Sequence, residues 1–274
     1  MSYGKRPRKN SAWRVIGAMV GQFRRAAGMS QQRLADELNL SVDQIASIEQ
    51  GRRPLSLRLA RDMDPLLRTS QTLEVAVAEV PQAERYPLFA QDYMEEEPQA
   101  LSLMSYQNQV VPGLLQIEEY ARAVFNQVYP ALRQDEMEER VRDRLVRMKV
   151  FDRAPSPPNM TYIIEESILR RPIGGRAVLH RQVQHLRSMA ELPFVTIQIM
   201  PTECEFHAGL DGTMVLLETP AHEHLAYIEG QRVSVLVDDP DEVSLLQQKY
   251  GMLRSQALTP EESKRLLDDL LGER

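Results

Sequence analysis

Breaks at Gly28–Ser30, Asn39–Ser41 and Gly51–Ser56 cut residues 13–68 into helical segments, each too short to stand alone and so obliged to pack on its neighbours. The first, about Val15–Ala27, carries Ile16, Val20, Phe23 and Ala27 at spacings of four, three and four, which is one apolar stripe. Ser30 is placed to cap the second, Gln31–Leu38, whose Leu34, Ala35 and Leu38 face inward. Ser41 caps the third, Val42–Gln50, which buries Ile45 and Ile48, and Gly51 supplies a left-handed stop. A fourth, about Leu57–Leu67, closes an all-α bundle of four to five helices over residues 13–68.

Residues 69–97 read as a connecting segment. Leu73, Val75, Val77 and Val80 alternate like a strand, yet Leu73, Ala76, Val77 and Val80 also form a helical face, and both readings stay open. Pro81, Pro87, Pro98 and the acidic run Glu95–Glu97 suggest a linker with at most one short helix.

Residues 98–274 alternate between periods. Strand-like runs fall at 101–106, 160–164, 194–200, 213–218, 225–229 and 232–237. Helical runs fall at 114–128, 134–151 and 176–189, and Asp239-Pro240 and Thr259-Pro260, each followed by a carboxylate, begin two more. Within 134–151, Glu136/Arg140 and Glu138/Arg142 have the spacing of i,i+4 ion pairs. The expected fold is an all-α bundle followed by an α+β domain with a small mixed or antiparallel sheet, the latter regulatory or partner-binding.

The net charge of −6 conceals a division. Residues 1–68 hold 13 Lys/Arg against 6 Asp/Glu, and residues 69–274 hold 20 against 33. A basic end can lie on phosphates while an acidic body is repelled, which orients the chain on a duplex. One cysteine, Cys204, excludes an internal disulfide framework and fits a reducing compartment. The start, read as a flexible basic arm over residues 1–12, lacks the apolar core of a signal peptide. The longest apolar runs are also too short for a membrane span. A cytoplasmic protein without membrane contact is the expectation.

A short helix, a tight turn and a second helix with a free outer face can enter a major groove about 12 Å wide. With Ile45 and Ile48 inward, Ser41, Val42, Asp43, Gln44 and Ser47 turn outward as candidate base readers. Gln44 suits adenine, Val42 a thymine methyl and Asp43 the amino group of cytosine. Gln31 opens the second helix where a phosphate could sit, and Arg52 and Arg53 could clamp the backbone, with Lys5–Lys9 reaching an adjacent groove.

Arg24, Ala27-Gly28, Ser30-Gln31, Leu34-Ala35, Leu38, Ser41, Ile45, Ile48-Glu49 and Gly51-Arg52-Arg53-Pro54 resemble the XRE, phage-repressor-like helix-turn-helix family over about residues 14–68. That resemblance implies operator binding and an ion pair between Arg24 and Glu49. Further on, residues 106–116 (YQNQVVPGLLQ), Glu119–Ala123, residues 166–175 (ESILRRPIGG), Gly209–Gly212 and Ala257–Ser263 resemble WhiJ-like actinobacterial regulators. In such proteins a helix-turn-helix is joined to a poorly characterised domain. The resemblance implies a double-stranded DNA operator and a small partner protein encoded nearby, and because an isolated module binds weakly, a homodimer with recognition helices about one duplex turn apart is expected. An antitoxin-like protein that neutralises its partner and autoregulates is the alternative.

In the larger domain Glu166, Arg170, Arg171, Gly174, Gly175, His207 and Asp211 form a candidate ligand or partner site, since arginines beside a glycine-rich helix start can hold an anion. A plain strand-to-helix loop, its arginines paired with Glu165 and Glu166, is the simpler reading. Cys204, His207, His222 and His224 lack a familiar zinc spacing, and no nucleophile accompanies Glu165, Glu166, Arg170 and His207. No metal, cofactor or catalytic activity is expected.

Overall fold

The computed structural model describes residues 12–51, 53–80, 91–129, 131–230 and 234–272. Arg52 and all of the basic arm except Ala12 lie outside them. The chain forms two compact units, Met1–Gln91 and Asp92–Arg274.

The first unit contains α1 (Ala12–Ala26), α2 (Gln31–Glu37), α3 (Val42–Glu49), α4 (Leu57–Leu67) and α5 (Thr72–Ala78) among the described residues. Trp13, Ile16 and Val20 of α1 meet Leu34 and Ala35 of α2 and Ile45 and Ile48 of α3 in one core. Residues 73–78, open to both periodicities in the sequence, are helical, and Asp64 of α4 gives the physical reason. Its carboxylate accepts the backbone N–H groups of Leu73 and Glu74, both at 3.0 Å, and the hydroxyl of Thr69, so it satisfies donors at the start of α5. Leu73, Val77 and Val80 then enter the same core.

The second unit follows α6 (Gln91–Glu96) with a mixed six-stranded sheet of order β3-β2-β1-β4-β5-β6. The strands are β1 (Ser102–Gln107), β2 (Asn159–Glu165), β3 (Val195–Met200), β4 (Met214–Glu218), β5 (His224–Glu229) and β6 (Ser234–Val237). β1, β2 and β3 are parallel, and β4 to β6 are antiparallel to their neighbours. Parallel neighbours require crossovers. These are α7 (Glu118–Phe125) and α8 (Gln134–Arg147) between β1 and β2, and α9 (Glu166–Arg170) and α10 (Arg176–Met189) between β2 and β3. The last helices are α11 (Pro240–Gln256) and α12 (Pro260–Leu271), both capped as their Asp-Pro and Thr-Pro starts imply. The fold is thus an all-α region followed by an α+β region.

Both sheet faces are buried. Leu103, Tyr162, Ile164, Ile197 and Leu217 pack with Val183 and Leu186 of α10 and Leu267 of α12. Ile163, Met200, Met214, Leu216 and Ala226 pack with Val243, Tyr250 and Leu253 of α11. The chain passing from α11 to α12 covers the outer edge of β3. The backbone N–H of Ile199 donates to Ser263 Oγ at 2.9 Å, and that of Leu258 donates to the carbonyl of Ile199 at 2.9 Å, which leaves less edge for another strand to pair with.

Three local expectations change. The helix expected from Leu114 begins at Glu118, because Gln182 of α10, fully buried, accepts the N–H of Ile117 and donates to the carbonyl of Leu115, holding residues 113–117 outside the helix. Glu138 pairs with Arg122 on α7, bridging two helices instead of closing an i,i+4 contact with Arg142. Glu97, within the acidic run read as linker, is 2% exposed and accepts Arg147 Nε at 2.7 Å, Arg147 Nη2 at 2.6 Å and the Tyr93 hydroxyl at 2.6 Å. Tyr93 stacks on Tyr227 of β5 with ring centroids 4.4 Å apart. Removing the anion takes the bidentate carboxylate away from a guanidinium that is itself 11% exposed. Glu97→Ala is therefore expected to cost about 3–5 kcal/mol, read as a lowered midpoint of urea unfolding; an unchanged midpoint would contradict this role.

Candidate nucleic-acid interface

The placement of α3 is set from its C-terminal end. Glu49 accepts Arg24 Nε at 2.5 Å and Arg24 Nη2 at 3.0 Å, and Gln31 Nε2 at 2.7 Å, so one carboxylate joins α1, α2 and α3. Arg24 also donates to the carbonyl of Met29 at 2.7 Å, closing the turn that leads into α2. Both ionic side chains are 10% exposed. Burial pushes the Glu49 carboxyl up, but hydrogen bonds from Arg24 and Gln31, with the charges of Arg24 and Arg25, outweigh it and hold the group below its ordinary value of 4.5.

Two glycines that the apolar stripe does not reveal permit the approach. A Cβ on Gly17 would overlap the backbone carbonyl of Ile48, and Gly21 lies against the Glu49 carboxylate. The signal available in the sequence is their spacing of four, which sets both beside Ile16 and Val20 on one face. Gly51 has φ +67° and lies against the backbone of Arg14, so no side chain fits there either.

The first turn of α3 holds the candidate base readers. Ser41 and Asp43 are exposed, whereas Val42, Gln44 and Ser47 are half-buried. Val42 leans on the core. Ser41 and Gln44 form a reciprocal cap: Ser41 Oγ accepts the N–H of Gln44 at 3.2 Å, and Gln44 Oε1 accepts the N–H of Ser41 at 2.9 Å. A bidentate contact of Gln44 with adenine therefore requires this cap to open, because the cap occupies its Oε1 and leaves only the NH2 end outside it. Gln31 is half-buried and its amide NH2 faces Glu49. Arg53 is half-buried, its backbone N–H donating to the carbonyl of Ser47 at 3.2 Å.

A helix-turn-helix domain matches residues 15–76, spanning α1 to α5. A domain of unknown function, DUF5753, matches residues 90–269, well over half of the chain. The chain belongs to the DUF5753 family. No curated protein matches it.

Within the DUF5753 domain the second set of candidate residues is distributed among separate partners. Glu166 and Arg170 form an i,i+4 pair on α9, and Glu166 Oε2 accepts the N–H of Thr202 at 3.0 Å, which with Arg170 holds its carboxyl below the ordinary value despite burial. Arg171 and Gly174, the latter at φ +77°, line an open cleft of about 470 Å³ with Ala123, Asn126, Gln127, Pro172 and Ile173. Gly175, at φ +96°, starts α10 without a side-chain cap. Asp211 is engaged by Lys249.

His207 belongs to a third group. Its Nδ1 accepts the N–H of Gly209 at 3.1 Å, which places the proton on Nε2, 3.5 Å from Glu165 Oε1. The same oxygen accepts the hydroxyl of Tyr106 at 2.7 Å. Burial, and then that carboxylate, push the Tyr106 hydroxyl well above its usual range, so it is the donor. Tyr106 was not among the candidates read from the sequence, whereas Glu165 was already weighed beside His207; the two lie near the C-terminal ends of adjacent parallel strands, a juxtaposition that only the pairing of β1 with β2 reveals. Cys204 and His222 turn to Phe206 and Glu218, and among the described residues no three His, Cys, Asp or Glu side chains converge on a common point for a metal.

Two outcomes are expected for the helical unit. Arg24→Ala leaves Glu49 nearly buried without its cation and costs about 3–5 kcal/mol. Because the folded value of Glu49 lies below 4.5, the stabilisation is fully present above pH 4.5 and is lost as the pH falls through the lowered value. The gap between wild type and variant in urea titrations should close in that acid window, and a gap independent of pH would exclude the ion pair as its source. Gly17→Ala meets a carbonyl that cannot yield and should cost about 1–3 kcal/mol, against a small gain had the position been free.

Proposed function

We propose that the chain is a sequence-specific DNA-binding transcriptional regulator that works in the cytoplasm, grips operator DNA as a homodimer, and acts by binding and not by catalysis. The observation that carries this reading is the accessible first turn of α3, held at a fixed angle by the Glu49 contacts within a matched helix-turn-helix domain. Side chains there would meet base edges, with Asp43 accepting from cytosine and the NH2 of Gln44 donating to a base acceptor. Arg52, Arg53 and the basic arm would hold phosphates. The resemblance to XRE-type repressors agrees with this placement.

A single module of this size binds weakly, and two copies with recognition helices about 34 Å apart would match a palindromic site. The DUF5753 domain would supply self-association and a surface for a partner protein or ligand that signals to the DNA-binding unit.

Genome-wide DNA capture with wild type and an Arg52→Ala/Arg53→Ala double variant at two salt concentrations tests the reading. The double variant should bind all sites more weakly, with a salt slope shallower by about 2 for each helix-turn-helix unit bound. Asp43→Asn should change which sequences are recovered, by about 1–3 kcal/mol of discrimination at one position, and not general affinity. Failure of the wild type to enrich any sequence would refute the proposal.

A further inference from the structure

Several arginines of the helical unit are engaged within it. Arg24 meets Glu49, Arg61 meets Glu74, Arg58 lies against Asp62, and Arg25 donates to Gln22. Arg14, Arg33 and Arg68 are exposed and pair with no carboxylate among the described residues. The contacts of Gly51 single out Arg14 from these three. A Cβ on Gly51 would come within 2.6 Å of the Arg14 Cα and 2.7 Å of its backbone nitrogen, so the two backbones touch where α3 ends. Gly17, three residues further along α1, meets the carbonyls of Ile48 and Glu49 in the same way. Arg14 is thus set at the C-terminal end of α3, with no side chain on Gly51 to separate them, and Arg52 and Arg53 follow Gly51 directly in the chain. Its place is also a poor one for a cation. Arg14 is the third residue of α1, whose first turn holds no acid, so its charge opposes the helix dipole without a carboxylate to offset it among the described residues.

We infer that Arg14 is a phosphate-binding residue, which joins from α1 the cationic corner that follows α3. The inference rests on the DNA-binding reading above and adds to it a residue of the first helix. Phosphate supplies the anion that Arg14 lacks within the helical unit. Arg14 is carried by α1, and Arg52 and Arg53 by the segment after α3, so the nucleic-acid backbone is gripped from two elements whose mutual position Gly17 and Gly51 fix. The basic residues Lys5, Arg6, Arg8 and Lys9 precede Arg14 by ten residues or fewer and extend the same charge along the chain. A guanidinium on a phosphate responds to charge and not to sequence, so Arg14 sets affinity and leaves base preference alone.

Titration of the full chain on a random-sequence duplex, and on the sites that capture recovers, tests this at two salt concentrations. Arg14→Ala should weaken binding to every duplex alike, with a salt slope shallower by about 1 for each copy bound, in addition to the loss from Arg52→Ala/Arg53→Ala. Its deficit in affinity should narrow by about 3-fold per copy between about 50 mM and 200 mM salt. Arg14→Lys keeps the charge and should restore the slope. Because Arg14 is exposed, the midpoint of urea unfolding should not move in either variant. An Arg14→Ala variant that keeps the wild-type slope overturns the inference and leaves the DNA-binding reading standing. So does a loss that Arg14→Lys fails to recover or that comes with a lowered urea midpoint. A wild type that binds no duplex at either salt concentration overturns both.

Discussion

A single carboxylate fixes the helical unit. Glu49 takes a two-pronged contact from Arg24 on α1 and an amide donor from Gln31 on α2, so three helices lose their freedom to roll about one atom group. An eight-residue helix such as α3 cannot hold its own phase through two apolar anchors, because Ile45 and Ile48 allow it to rock. A planar guanidinium on a planar carboxylate does not. Because Ser41 lies about 12 Å from Glu49 along the axis, at 1.5 Å per residue, a small rotation at one end sweeps the other across a groove. Gly17 and Gly21 belong to the same device, since they remove the bulk that would keep α1 from the end of α3.

The DUF5753 domain uses buried polar centres in the same way. Glu97 gathers Arg147 and Tyr93, Gln182 gathers the backbone on both sides of Gln116, Gln198 ties β3 to the segment before α12, and Ser263 ties it to α12 itself. Each centre is nearly or fully buried and each has its partners supplied from distant parts of the chain. Replacing any of them with an apolar residue would keep the hydrophobic burial but remove the constraint on which segment lies where, and a half-satisfied centre would cost more than an apolar one. Such groups select one arrangement among several that an apolar sheet sandwiched by helices could adopt.

Much of the architecture was legible because it is written at short range. The caps at Ser30, Ser41, Asp239 and Thr259, and the short β-rich runs that become the six strands, are local properties. What was not legible is long range. Residues 73–78 satisfy both periods, and the choice is made by Asp64, nine residues earlier. The late start of α7 depends on Gln182, whose partner lies 65 residues away. Glu97 looks solvated in a run of acids, and only the arrival of Arg147 makes its burial tolerable. At the interface, outward phase could be read for Ser41 and Asp43, but the closing of Gln44 on Ser41 and of Gln31 on Glu49 could not, because an amide can turn either to protein or to solvent.

If the helical unit reads DNA as proposed, its charges would separate attraction from selection. α3 contains no Lys or Arg, and of its two carboxylates Glu49 is neutralised by Arg24, while Asp43 stays exposed in the first turn. Asp43 favours the helix by about 0.3–1 kcal/mol through the dipole, yet near a duplex it repels every phosphate it passes. Attraction to a polyanion must then come from the rest of residues 1–68, where 13 Lys/Arg outnumber 6 Asp/Glu. A helix that contributes no general attraction is penalised in any groove that fails to give Asp43 a donor, because its desolvation is repaid only by an amino group. On the reading proposed above, discrimination by a carboxylate would act by raising the cost of wrong sequences, and the basic residues around it would set how tightly the right ones are held.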